Sequence, residues 1–146
     1  MDIKWPRMAF KRGDSESGGV SSPSSSGAYT NYYKAEKDAK ANPKNYSTAK
    51  SAVSSAISSL GVSSSWLEPV LELVARESSF NPNAKNPKST AAGLFQFLDG
   101  TRKNYGGSKV DWSDPNTQAL AGLKYIKDRY GTPEKALAFW DANGYY

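Results

Sequence analysis

Glu77 is the residue of this sequence best placed to do chemistry. It follows Val70 and Val74 at i, i+4 and i+7, and Trp66, Leu67 and Leu73 extend the apolar pattern of one helix. That spacing sets the carboxyl on the buried stripe. A carboxyl withdrawn from water holds its proton more tightly. A glutamic acid neutral near pH 7 can protonate the leaving oxygen of a glycosidic bond. The same spacing is also met by a glutamate at the stripe's edge, turned to solvent.

Composition narrows the alternatives. The 146 residues include no cysteine and no histidine. Disulfides, thiolate metal sites, His-ligated zinc and Ser-His or Cys-His nucleophile pairs are excluded, so acid–base work falls to carboxylate, Lys or Tyr. We expect neither a metal nor a cofactor. No apolar run reaches the roughly 18 residues of a membrane span. The first twelve residues hold no continuous apolar stretch of the signal-peptide kind, so delivery by another route is expected. Net charge is +5. From residue 61 onward acids and bases nearly balance, so the surplus lies ahead of Glu77. The surplus suits an anionic polymer or serves solubility alone. No predicted helix carries a basic face with base-reading residues, and nucleic acid is not an expected partner.

Three segments follow from the pattern. Residues 1–30 pair a short basic-apolar start, with Trp5 and Phe10, to a Ser- and Gly-rich linker. They read as a flexible tail, either an anchor to a partner or a terminus without a role. Residues 31–62 read as a helical lead-in. A polar helix over 31–40 is interrupted at Asn42-Pro43. A second helix after Asn45 carries Ala49, Ala52, Val53, Ala56, Ile57 and Leu60 on one face and stops at Gly61. Residues 63–146 read as the functional domain.

Within that domain a serine among Ser63 to Ser65 caps the helix that runs from Trp66 to about Ser79. Asn81 to Ala91 is loop, with Pro82 and Pro87. Gly93 to Leu98 has the composition of a short strand. Thr101 to Tyr105 forms one helical turn, closed by Gly106-Gly107. Asp114-Pro115 and Thr132-Pro133 each combine a capping side chain with proline at the first helical position, and so open two further helices. The first shows Leu120, Leu123, Ile126 and Tyr130. The second shows Ala136, Leu137, Phe139 and Trp140 and stops near Asn143-Gly144. Several helices with little strand predict a mainly α fold.

Two stretches carry a family resemblance. Glu77-Ser78-Ser79-Phe80-Asn81-Pro82, followed by Ala92-Gly93-Leu94-Phe95-Gln96, resembles the soluble lytic transglycosylase family. That family pairs Glu-Ser-x-(aromatic)-Asn-Pro with Gly-Leu-Met-Gln. The resemblance spans about Ser63 to Tyr146. It implies a lysozyme-like domain in which Gly93 to Leu98 is a turn and helix start lining the cleft. It implies cleavage of peptidoglycan between N-acetylmuramic acid and N-acetylglucosamine, with a 1,6-anhydro product. Glu77 would be the single catalytic acid/base.

Site residues carry over one at a time. Ser78 matches the Ser beside the acid, and Gln96 matches the Gln that lines the saccharide cleft. Asn86 stands where many members carry a sugar-contacting Ser, and Phe95 replaces the usual Met. Ala136 to Gly144 resembles the family's Ala-Leu-Ala-x-Tyr-Asn-Ala-Gly, with Trp140 for the Tyr and Asp141 for the Asn. Trp140, Asn143 and Tyr145 are therefore substrate-binding candidates, while Trp140 equally suits a core position. Asp99 is the candidate second carboxylate for a hydrolytic muramidase, but an exposed residue beside the Gly100 turn is the better reading. The expected partner is the peptidoglycan glycan strand. The tail and linker, with the small cassette size, point to a phage virion protein bound through residues 1–30 to other tail proteins; an extracellular or cell-wall location is the rival. A non-catalytic glycan-binding virion protein is the reading from outside enzymology.

Overall fold

The computed structural model describes residues 32–143. Its helices are α1 (Tyr33–Ala41), α2 (Pro43–Leu60), α3 (Leu67–Ser78), α4 (Asp99–Asn104), α5 (Pro115–Arg129) and α6 (Pro133–Asn143). No strand is present among the described residues, only isolated bridges Lys85–Ala92 and Ala92–Phe97. The mainly α expectation holds. No helix among these residues is long and apolar enough to cross a membrane.

α3 is the central element, packed by α1, α2 and α6, while α2 lies along α5. Ala49, Ala52 and Ala56 of α2 and Ala119 of α5 are buried. Such small side chains let two helices approach closely, and their spacing was readable in the sequence. α3 departs from the simple stripe. Every residue from Pro69 to Ala75 is buried, and so are Glu77 and Ser78. A helix apolar on nearly all faces must be surrounded. Glu77 is therefore buried by the helix's central place as well as by its phase.

Local chemistry sets the helix ends. The Asn42 side chain accepts a hydrogen bond from Asn45 N at 3.1 Å, and Pro43 is the first residue of α2. Asn42-Pro43 is thus the interruption expected after α1 and, at the same residues, the cap that opens α2. Proline lacks a donor that this position leaves unused, and its fixed φ suits the helix. Gly61 closes α2 at φ 69°, a conformation that disfavours any side chain. Ser63 caps a 3₁₀ turn, Ser64–Trp66, which leads into α3. The Asp114 and Thr132 caps of α5 and α6 form as predicted.

The six-residue α4 starts at Asp99, two residues earlier than expected. Gly93 to Leu98 is not a strand; as the resemblance implied, it is a turn that runs into a helix, with Leu98 the residue before α4. It is a tight turn in which Ala92 and Phe97 exchange two backbone hydrogen bonds of 3.1 Å. Phe95 points beneath it onto Gly122 of α5. A methyl group at Gly122 would lie 2.5 Å from the Phe95 ring. The Phe at the family's Met position therefore rests on an α5 residue with no side chain.

The lead-in helices belong to the same core as α3. Glu72, fully buried, accepts a 2.8 Å hydrogen bond from Ala35 N in the first turn of α1. It also accepts a 2.6 Å bond from Arg76 Nε. Arg76 reaches on to Asp141 of α6 at 3.0 Å and lies between the rings of Tyr33 and Trp140. One ion pair thereby fixes α1, α3 and α6 together.

Two substitutions test this packing. Replacing Glu72 by Leu leaves the buried guanidinium only the half-exposed Asp141 as a carboxylate partner and should cost about 3–5 kcal/mol, with partial recovery when Arg76→Met is added. Urea unfolding measures both, and a single-variant loss below about 1 kcal/mol would contradict the arrangement. Gly122→Ala should cost about 1–3 kcal/mol through overpacking against Phe95. Thermal unfolding at wild-type temperature would show that the ring has room to move.

Candidate active site

Glu77 ends the last turn of α3 and is 6% exposed. It opens onto a groove of about 490 Å³ that Ser78, Asn86 and Gln96 also line. Four residues picked from the sequence, spread over twenty positions, thus converge. Glu77 is the sole carboxylate among the groove's lining residues.

The chain must turn sharply to build this groove. Ser79 and Phe80 take successive left-handed conformations, φ 53° and 67°, and Gln96 takes φ 52°. These are the positive-φ residues other than glycine among the described residues, and all three flank Glu77's groove. Such conformations persist only where surrounding contacts enforce them. Phe80 is fully buried, with Tyr46 of α2 edge-on at 5.2 Å. Lys34 of α1 donates to the Ser79 hydroxyl at 3.2 Å.

Side chains rather than a sheet hold the far wall. The Ser78 hydroxyl sits 2.9 Å from the Leu94 carbonyl and 3.1 Å from that of Val74, sharing its proton between them. It ties α3 to the Gly-Leu-Phe-Gln turn. Gln118 of α5, which sequence reasoning missed, accepts from Leu94 N at 2.7 Å. Its amide donates to the carbonyls of Pro82 and Trp112. A Cβ at Gly93 would come within 2.9 Å of the Gln118 oxygen, so close approach requires glycine there.

The polar groups left toward the groove are few. Gln96 donates both amide protons, to Gly93 O at 2.9 Å and Ala84 O at 3.2 Å. Its oxygen remains as an acceptor. The Asn86 oxygen accepts from Lys88 N at 2.8 Å, leaving its NH₂ as a donor. Beside Lys85 and the Ser79 hydroxyl, the wall thus offers an amide acceptor from Gln96 and an amide donor from Asn86, the complement of an acetamido group.

Tyr125 of α5, also passed over, lies outside the groove and lines a separate pocket with Tyr105 and Asp128. It is 3% exposed, and its phenol is pushed above the ordinary range by burial first and then by Tyr130, against an opposing pull from Arg129, with smaller contributions from Tyr105 and Glu77. Its hint was the i, i+4 step from Ala121, which the predicted α5 face passed over.

The other candidates lie elsewhere. Trp140 does not line the groove; it packs against the core with Arg76 5.8 Å from its ring. Asp141 pairs with Arg76. The Asn143 side chain, Tyr145 and the tail of residues 1–30 fall outside the described residues. Asp99 is a solvent-facing residue whose side chain is 56% exposed, between Arg102 and Lys103 in the first turn of α4. It is not a second groove carboxylate.

No curated protein and no solved structure matches the chain significantly. The family model described as "Transglycosylase SLT domain" matches residues 54–142, from the middle of α2 to the end of α6. That is more than half of the chain and takes in Glu77, Asn86 and Gln96 together. The chain belongs to the transglycosylase SLT domain family.

Proposed function

We propose that this protein is a peptidoglycan lytic transglycosylase in which Glu77 is the single acid and base. The observation that carries this reading is a withdrawn carboxyl in a groove with no other acid among its lining residues. Burial favours the protonated form that a general acid must start from. Glu77 gives its proton to the oxygen joining N-acetylmuramic acid to N-acetylglucosamine, and the bond from that oxygen to C1 breaks. The sugar's own N-acetyl oxygen supports the positive charge at C1, a substrate-assisted route that spares a second carboxylate. Glu77, now ionised, takes the proton of the muramoyl C6 hydroxyl. That oxygen closes on C1, giving the 1,6-anhydro ring. The acid is regenerated and water is not consumed.

The remaining groups fit this path. Gln96, with both protons committed to backbone, offers its oxygen to an acetamido N–H, and Asn86 offers a donor nearby. A hydrolytic muramidase needs a carboxylate to activate water, and the exposed position of Asp99 does not favour it. The same reading takes residues 1–30 as an attachment to a phage tail for local wall penetration. The basic-apolar start and the Ser- and Gly-rich linker support it. Absence of the protein from purified particles by immunodetection would remove that part.

Mass spectrometry of fragments released from purified walls tests the chemistry. Wild type should release anhydromuramoyl ends, and Glu77→Gln should slow release by roughly 10²- to 10⁴-fold, the usual worth of a general acid. Reducing ends from wild type would replace this mechanism by hydrolysis. Equal release by both proteins would remove Glu77 from it.

A further inference from the structure

The family match begins at residue 54, so α1 lies wholly ahead of it. Yet three successive residues of α1 reach the part of α3 that carries the acid. The Arg76 guanidinium lies 5.6 Å from the centre of the Tyr33 ring. Lys34 donates to the Ser79 hydroxyl at 3.2 Å. Ala35 N donates to Glu72 at 2.8 Å. Glu72 and Ser79 stand seven positions apart, a spacing that puts them on one side of α3 and its cap. Glu77 falls between them in the chain.

Of these contacts, the one from Lys34 reaches the groove. Ser79 lines the groove with Glu77. It is exposed and takes φ 53°, which a residue with a Cβ keeps only under constraint. Its neighbour Phe80, also left-handed, is locked by full burial. Ser79 has no such burial, and the Lys34 ammonium holds its hydroxyl instead. That ammonium is aimed by Asp38, one turn further along α1, whose buried carboxylate pairs with it. Asp38, Lys34 and Ser79 thus form a short polar chain from the α1–α3 contact to the groove rim. Its last member is two residues from the acid.

Resting on the transglycosylase reading, we propose that Lys34 is a positioning residue for Glu77. By clamping the left-handed turn at Ser79, it fixes the end of α3 from which the carboxyl meets the scissile oxygen. Its effect falls on the rate of cleavage more than on affinity for the glycan. The working unit is then larger than the family domain and includes α1.

Ser79→Gly removes the need for a clamp, because glycine takes positive φ freely. A double-mutant cycle therefore isolates the role of Lys34. In the full chain, Lys34→Met should lower kcat for release of anhydromuramoyl ends from soluble glycan strands by roughly 3- to 10-fold, the worth of a partly exposed charged hydrogen bond. KM should stay within about two-fold. Asp38→Asn should lower kcat in the same direction by less. In the Ser79→Gly background, adding Lys34→Met should change kcat by less than about two-fold. Amide hydrogen exchange reads the turn without any cleavage, at Ser79 N–H and Asn81 N–H, which donate to Ala75 O and Ser78 O. Lys34→Met should speed exchange at both. Unchanged kcat in Lys34→Met would overturn the proposal, as would an equal loss in both backgrounds or a loss without faster exchange. Faster exchange in Lys34→Met, with no cleavage by wild type, would count against the catalytic reading and leave the clamp standing. Unchanged exchange would remove the clamp whether or not wild type cleaves.

Discussion

The fold depends on one buried ion pair, Glu72 with Arg76. Two full charges inside a protein are tolerated only when their remaining hydrogen-bonding capacity is met. Here Ala35 N in the first turn of α1 uses one carboxylate oxygen, and Asp141 of α6 takes a guanidinium N–H. A negative charge at a helix N-terminus is itself favourable, because unpaired N–H groups gather there. The pair therefore does more than satisfy itself. It holds α1 and α6 to α3, and the residue after Arg76 is Glu77, the acid of the groove.

A rigid α3 would be of little use if the opposite wall were loose. That wall has no sheet to stiffen it. Ser78, Gln96 and Gln118 provide its hydrogen bonds instead, each side chain reaching backbone that a strand partner would otherwise have satisfied. The left-handed residues Ser79, Phe80 and Gln96 lie within this framework. Their conformations keep the turn short enough for Gln96 to face Glu77's groove. Strain near the site and the amides that enforce it are two sides of one construction.

Much of this could be read from residue types. Caps at Asp114 and Thr132, the stop at Gly61 and the small-residue face of α2 all rest on short-range rules, and all appear. Glu77's burial followed from its phase in α3, although the helix proves covered on nearly every side. The break at Asn42-Pro43 also appears, and the pair additionally caps α2 as Asp114-Pro115 caps α5, which moves that helix's start ahead of Asn45. What stayed hidden depends on distant partners. Glu72 bonds a residue 37 positions away, and Gln118 bonds one 24 positions away. Nothing beside either residue announces its partner. The composition of Gly93 to Leu98 suggested a strand for the same reason, since its turn, which the family resemblance did imply, is held by side chains from α3 and α5. Trp140 was matched to a cleft residue, but the neighbouring arginine draws its ring to the α3–α6 contact.

Taken together, the helices fix an acid at the floor of a groove, and the amide wall offers the complement of an acetamido sugar. The most direct measurement is a crystal structure of Glu77→Gln with a muramoyl-containing tetrasaccharide. The scissile oxygen should lie about 3 Å from the side chain at position 77, within hydrogen-bond reach. An acetamido N–H should point to the Gln96 oxygen. A saccharide seated on another face, or one whose scissile bond meets a water held by a different carboxylate, would contradict the account.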